Sequence, residues 1–446
     1  MAAKVPLMKH QLKLWCAGAV LSIAPGLVQA ANVAEVPPAA PATLMDAITS
    51  GKPLTNFRLR YEYVNDDVPA HTENADAFTL RSLVGWQTAP WHNFSIAAQL
   101  INVGVFNDDY DNFDKGVIEP GKSEFPRVVD PDDTDVNQLF VEWTGIKNTK
   151  LRLGRQSVKL DNVRFVGNVE FRQVMQVFDG VALENKGLLP DTSIYLAHFE
   201  RVKQITTKYQ DANIDIANLK YSISPSEALV GYGYLVDWNG AVKASNPSNE
   251  LASSKTFGLR LDGAHVLNPD WKVLYTAEYA KQDDYKDGND NIDSHYARLG
   301  AGAQYGAWYA RLDHELLSSN DGMSAFQTPL GTNHLFQGWA DQFLATPAAG
   351  IKDTFLSFGG KLMGVALTGE YHWINADEDF TTPAGAGTGD QYGKELDLAA
   401  AYTYGKWLGK MEYARFQEDD VLGASLAAAS RKRDTEKVWL TVMYTF

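Results

Sequence analysis

The chain has one cysteine in 446 residues, and its 40 bases are outnumbered by 55 acids. Cys16 opens the apolar run Leu14–Val28, directly after Lys13 and Trp15, which is the wrong place for a lipoprotein anchor. Lys4, Lys9 and Lys13 precede that run, and the small-residue site Val28-Gln29-Ala30 follows it. This is the layout of a cleaved signal peptide, residues 1–30, with a mature chain from Ala31. Without the peptide no cysteine remains, which excludes disulfides, a thiolate nucleophile and thiolate metal ligands. The remaining 37 bases face all 55 acids, a net charge of −18. A nucleic-acid partner is thereby excluded, since phosphate binding needs clustered positive charge. No second apolar run approaches the roughly 18 residues of a membrane-spanning helix. Nor does a Pro/Ser/Gly linker divide the chain after about residue 53. The Ala/Pro-rich stretch Ala31–Pro41 begins a flexible lead-in, 31–53, too short for a plug domain.

What the chain has in abundance is alternation with period two. In Leu54–Val64, Phe57, Leu59, Tyr61 and Tyr63 share one parity and Arg58, Arg60 and Glu62 the other. Trp271–Ala280, Val365–Trp373 and the last ten residues, Lys437–Phe446, repeat the pattern. Successive side chains of a strand point to opposite faces, so each such segment has an apolar face and a polar or mixed one. Eighteen segments of this kind follow one another. A soluble sandwich and a membrane barrel share this periodicity; the connections distinguish them. Tight links such as Thr88–Asn93, Gly145–Thr149 and Leu267–Asp270 alternate with excursions such as Asn107–Asp135, Ser319–Lys352 and Asn375–Gly393. Short turns on one rim and long loops on the other belong to outer-membrane barrels, with short periplasmic turns and long extracellular loops. Greek-key sandwiches have no reason to show this. Aromatics near the strand ends on the apolar parity, among them Tyr63, Trp86, Trp143, Trp271, Trp373 and Tyr444, suit interfacial girdles. The expected fold is all-β: a closed antiparallel transmembrane barrel of about 18 strands over 54–446. Phe446 then ends a closing strand that serves as a signal to the barrel assembly machinery.

The polar parity becomes the lumen wall, because a charge facing lipid near the midplane costs roughly 2–4 kcal/mol. Its bases include Arg58, Arg60, Arg81, Arg152, Arg260, Arg298 and Arg311, and its acids Glu62, Glu142, Asp262 and Glu370. Each either pairs across the lumen or meets a passing solute, for which the planar fork of arginine suits carboxylates. Arg58, Arg60, Arg81 and Arg152 are expected to form a positive cluster. One segment breaks parity. In Leu151–Leu160 the apolar side changes from odd to even numbers, and a bulge at Gly154 would turn Arg155 into the lumen. The following loop, Asp161–Val177, carries Arg164, Glu170, Arg172 and Gln173 and either folds inward as a constriction or caps the outer rim.

These same stretches carry a resemblance. Leu153-Gly154-Arg155-Gln156, Asn162-Val163-Arg164-Phe165-Val166-Gly167, Arg172-Gln173 and Phe178-Asp179-Gly180-Val181 resemble the alginate export family of outer-membrane porins. So do Thr328-Pro329-Leu330-Gly331-Thr332-Asn333-His334 and Gly338-Trp339-Ala340-Asp341. The resemblance implies an 18-stranded barrel passing solutes, in its namesake an acidic polysaccharide, through an arginine-lined lumen. This chain departs in carrying nearly as many acids as bases on its lumen parity, which sits poorly with polyanion export.

The acidic excess lies mostly in loops, at Asn107–Asp114, Asp130–Asp135, Asp283–Asp293 and Asp377–Asp379. These are solvated surface, or hold divalent cations shared with lipopolysaccharide. None matches a calcium loop, and no other cofactor is called for. Enzyme signatures are missing: there is no G-x-S-x-G elbow, the nine histidines lack ligand spacing, and His314-Glu315 lies in a strand rather than a zinc-binding helix. The expected function is an outer-membrane channel for polar solutes, sugar-like or anionic, possessing no catalytic residues. A surface receptor or adhesion barrel acting through its long loops is the first alternative, and a barrel hydrolase a remote one.

Overall fold

In a computed structural model, residues 41–240, 251–381, 388–419 and 433–446 are described. The expected signal peptide lies outside them, as does the start of the lead-in. Eighteen antiparallel strands form one closed sheet: β1 (Asn56–Asp66), β2 (Ala75–Gln87), β3 (Phe94–Asp109), β4 (Asp133–Trp143), β5 (Thr149–Gln156), β6 (Val177–Lys186), β7 (Thr192–Lys203), β8 (Tyr209–Ser224), β9 (Glu227–Trp238), β10 (Ser254–Val266), β11 (Trp271–Asp284), β12 (Asp293–Tyr305), β13 (Trp308–Leu317), β14 (Ile351–Leu362), β15 (Val365–Thr381), β16 (Thr388–Tyr404), β17 (Trp407–Glu418) and β18 (Thr435–Thr445). Each pairs with its sequence neighbours, and β1 closes onto β18 from Asn56 opposite Thr445 to Asp66 opposite Thr435. Closure leaves no edge with unpaired backbone groups, as hydrocarbon requires.

The rims differ as the sequence predicts. One carries two-residue turns such as Met363–Gly364, both at positive φ, the geometry that matches hairpin twist. The other carries the connections 110–132, 157–176 and 318–350. The outer face is predominantly apolar, with Leu153 and Leu299 about two-thirds exposed and Leu259, Leu312 and Leu440 also open. A continuous apolar belt around a closed sheet is a lipid-facing wall. Inside, buried charged and amide groups stand beside an apolar cluster that includes Phe178, Phe199, Tyr232, Tyr296 and Phe326.

The lead-in differs from expectation where it is described. Leu44–Thr49 is a helix with a capping box between Thr43 and Asp46, and Lys52–Pro53 pairs with the end of β2. The indole of Trp86 donates to the Ile48 carbonyl at 2.7 Å, and Ala89 N–H donates to the Ala47 carbonyl. Six residues behind a Thr cap are enough for this short helix of fewer than two turns once the rim supplies partners for its end.

Leu299→Arg, at the middle of β12 on the outer face, should lower the unfolding free energy in phospholipid vesicles by about 2–4 kcal/mol. Urea titration measures it; a loss below about 1 kcal/mol would place that face outside the hydrocarbon.

Candidate functional site

Alternation on β1 sends Phe57, Leu59 and Tyr61 outward and Arg58, Arg60 and Glu62 inward, where all three are buried. They are buried because the connection 157–176 folds into the barrel and lies on them. The Arg58 guanidinium donates to Oε1 of Gln173 (2.9 Å), to the Glu170 carbonyl (2.7 Å) and to the Arg172 carbonyl. Arg60 donates to the Phe171 carbonyl at 2.6 Å and stands 4.2 Å from the Phe171 ring centre. Gln173 reaches Thr79 of β2, and its own N–H donates to the buried Asp130 carboxylate.

The second long connection, 318–350, folds inward beside the first. Arg172 ties all three parts together, pairing with Glu62 of the wall at 3.0 Å and with Asp341 of the second loop at 2.9 Å. Asp341 also accepts from Lys437 of β18 (2.9 Å) and from His334 (2.7 Å). The Phe171 and His334 rings stack at 3.3 Å, with Trp439 edge-on to both. Arg164 forms a fully buried pair with Glu315 of β13 at 2.9 Å and donates to Gln337 at 3.0 Å. Backbone bonds join the loops directly, Gly167 to Leu330 and Thr332 to Val163. A side chain at Gly167 would meet the Thr332 hydroxyl at 2.2 Å, so the approach depends on that glycine. Burial pushes the Asp341 carboxyl up, but Lys437, His334 and Arg172 hold it well below the usual carboxylate range.

Together the loops leave a cavity of about 410 Å³ in the lumen. Arg58, Arg60, Arg260, Asp262, Arg298, Arg311 and Glu370 line it, joined by Lys159, Lys220 and Lys410. Several charges are internally matched: Arg260 with Asp262 (2.9 Å), Lys159 with Glu170 (2.5 Å) and Lys410 with Glu412 (2.5 Å). Arg298 and Arg311 share the single carboxylate of Asp313. Among the described residues, Arg58, Arg60 and Lys220 have no carboxylate within ion-pair distance, while of the lining acids Asp161 has no base and Glu370 only His372, so bases exceed acids on the cavity wall.

Other expected site residues fall elsewhere. Glu62 and Arg81 are fully buried and are not among the cavity-lining residues; Arg81 does stand opposite Arg58 in register. Arg152 pairs with Glu142 on β4–β5, outside the Arg58–Arg60–Arg81 group. Arg155 is a correction. Pairing runs unbroken through Gly154 on both sides, and the strand ends at Gln156. The parity change marks that end rather than a bulge. Arg155 therefore shares the outer face of Leu151 and Leu153, opposite the exposed Leu139, and pairs with Asp179 at 2.7 Å. Arg201 and Asp211 continue that outer charge row across β7 and β8. Glu315, Asp341 and Lys437 went unmarked. Glu315 shares the parity of Arg311 and Asp313 on β13, and Lys437 that of Trp439 and Thr441 on β18, which were legible signals; Asp341, in a loop, had only the family resemblance.

The family model for alginate export matches residues 55–320. The chain belongs to the alginate export family. It is thus an outer-membrane β-barrel of a family of channels. Solved barrels of the same architecture include Pseudomonas aeruginosa OpdK with vanillate, 14% identical over 87% of this chain and 97% of that one, with a TM-score of 0.64. Pseudomonas aeruginosa OpdL is 13% identical, with 89% and 99% covered and a TM-score of 0.64. Acinetobacter baumannii OccAB3 is 12% identical, with 90% and 100% covered and a TM-score of 0.66. At these identities the likeness is one of fold. No curated protein matches the chain by sequence.

Arg172→Ala would leave Glu62 and Asp341 buried beside an empty position, a loss on the order of 3–5 kcal/mol for such pairs. The expected outcome is protease cleavage within 161–177 of an otherwise intact barrel, read by mass spectrometry of the fragments. Because the Asp341 carboxyl is depressed, its part of the lock is complete above the ordinary carboxylate pKa and fades only as pH falls through the lower folded value. Protease resistance of the second loop should therefore persist from pH 7 to pH 5; loss over that interval would contradict the lock.

Proposed function

We propose that this barrel is a diffusion channel for small carboxylate-bearing solutes, with the cavity beneath the two crossed loops as its selective segment. The carrying observation is the excess of bases on the cavity wall, with Arg58, Arg60 and Lys220 unmatched against two unmatched acids, Asp161 and Glu370. A cavity of about 410 Å³ suits a single small solute. An extended polyanion would need both loops to leave the lumen, breaking the Arg172 and Arg164 pairs together. This favours a small anion over a polysaccharide chain. That the OpdK barrel was solved with vanillate, an aromatic carboxylate, fits the same solute class. The guanidinium groups supply paired donors for a carboxylate, and focusing between low-dielectric walls raises the local anion concentration.

A second reading has its own observation. The loops are pinned to the wall at Glu62, Glu315 and Lys437, as in a plugged barrel whose surface acts as a receptor.

Planar bilayers under a potassium chloride gradient separate the two. The channel reading expects discrete steps in the unaltered protein and an anion-favouring reversal potential. The double variant Arg60→Glu, Lys220→Glu should move that potential toward cations. Liposome swelling should be faster with small carboxylates than with neutral sugars of equal size. Silence from the intact barrel, with steps only after removal of 321–346, would favour the receptor.

A further inference from the structure

Three to five strands around the barrel from β1, past β18 and β17, the inward residues of β14, β15 and β16 bring four carboxylates to one imidazole. His372 donates from Nδ1 to Oδ2 of Asp353 at 2.8 Å. Its Nε2 stands 3.6 Å from Oε2 of Glu370 and 3.6 Å from Oδ2 of Asp397, too far for a hydrogen bond to either. Glu395 lies beside them, opposite His372 in register. All five side chains are buried. Nε2 of His372, Oδ1 of Asp397 and Oε2 of Glu395 have no hydrogen-bond partner. Among the described residues His372 is the one base within ion-pair distance of this group. Buried carboxylates without matching cations carry a heavy desolvation cost.

We propose that Glu370, His372 and Asp397 bind a divalent transition-metal ion of the Zn²⁺ type. Their facing ligand atoms lie within 4.8 Å of one another. The two 3.6 Å separations are close to the edge of a tetrahedron with zinc bonds of about 2.0–2.1 Å, which is about 3.4 Å. One imidazole and carboxylate oxygens form a donor set that suits zinc. The Asp353 carboxylate on Nδ1 is the outer partner that fixes a metal-bound histidine with Nε2 free for the ion. The Ser357 hydroxyl holds the other oxygen of Glu370 at 3.1 Å. Trp339 N–H and Ala340 N–H of the second loop donate to Asp397 and Glu395. Gly338 lets that loop come so close, since a Cβ there would meet the Glu395 carboxylate at 2.2 Å. Glu370 and His372 line the cavity, which gives the ion its entry path and leaves a fourth position open to water or a solute carboxylate. Two carboxylates of the acidic loops are instead already matched. Asp111 accepts from Phe113 N–H, Glu119 N–H and Arg127, while Asp377 accepts from Lys352 and Ser319.

The test is calorimetric titration of Zn²⁺ into the full barrel in detergent, without an appended histidine tag and after chelator treatment. One Zn²⁺ per barrel is expected. His372→Ala and Glu370→Gln should abolish uptake, and Asp353→Asn should weaken it about 10–100-fold. Heat-modifiable migration on a gel checks that each barrel stays closed. Should His372→Ala fail to close, the isosteric Glu370→Gln, at the cavity surface, carries the test. A closed unaltered barrel that takes up no Zn²⁺, its carboxylates then holding protons instead, overturns the proposal, as does undiminished uptake by closed Glu370→Gln. Neither result decides the channel reading, which rests on Arg58, Arg60 and Lys220 of β1 and β8 and is read by conductance and reversal potential.

Discussion

Hydrocarbon offers no hydrogen bonds, and the rest of this structure depends on that. Every backbone N–H and C=O in the spanning region must find a partner within the sheet, so the sheet closes and β18 meets β1. Closure converts strand parity into inside and outside. Once outward positions belong to Leu, Val, Phe and Tyr, charged side chains have only the lumen or the rims. The lumen is therefore polar because of the lipid rather than because of the solute. Function begins with how those unavoidable charges are arranged.

Here the arrangement is uneven. The chain carries a net charge of −15, yet its cavity keeps unmatched cations. The acids are spent elsewhere: Glu62 and Asp341 on Arg172, Glu315 on Arg164, Asp313 on two arginines at once. Buried pairs of this kind contribute little net stability, because desolvation offsets the Coulomb gain, but breaking one is costly. Their effect is to give two long loops a single seat inside the barrel. Loops of 20 and 33 residues without such contacts would sample many positions.

All eighteen strands were legible in the sequence because each carries its own period-two signal and because turn lengths alternate. The inward side of Arg58, Arg260, Glu370 and His372 was legible for the same reason. Arg155 was not: a parity change reads alike whether a strand bulges or ends, and only the pairing of Gly154 with Phe140 and Gly180 separates the two. The helix at Leu44–Thr49 was hidden by its brevity. Contacts between loops leave no periodic trace. Arg172 and Asp341 stand 169 residues apart and meet only because both connections turn inward. Yet the short stretches that carried the family resemblance, around Arg164 to Arg172 and Leu330 to Asp341, are those that lock together in the lumen. A loop held by many specific side-chain and backbone contacts tolerates fewer substitutions than a lipid-facing strand, which needs only apolar residues.

The two walls of the cavity then divide the chemistry. On the β1 side, arginines are held by loop carbonyls and by Gln173, neutral acceptors that fix a guanidinium without cancelling its charge. On the β14–β16 side, carboxylates accept from the Ser357 hydroxyl and from backbone N–H groups, neutral donors that likewise fix charge without cancelling it. The same loops thus orient both signs. A small anion entering the cavity meets fixed positive charge on one wall. The β14–β16 wall would repel it unless protons or a bound cation neutralise Glu370 and Asp397. The charge state of that carboxylate group therefore sets whether the cavity as a whole attracts or rejects an anion, and it couples the β14–β16 wall to selectivity without any contact with the arginines.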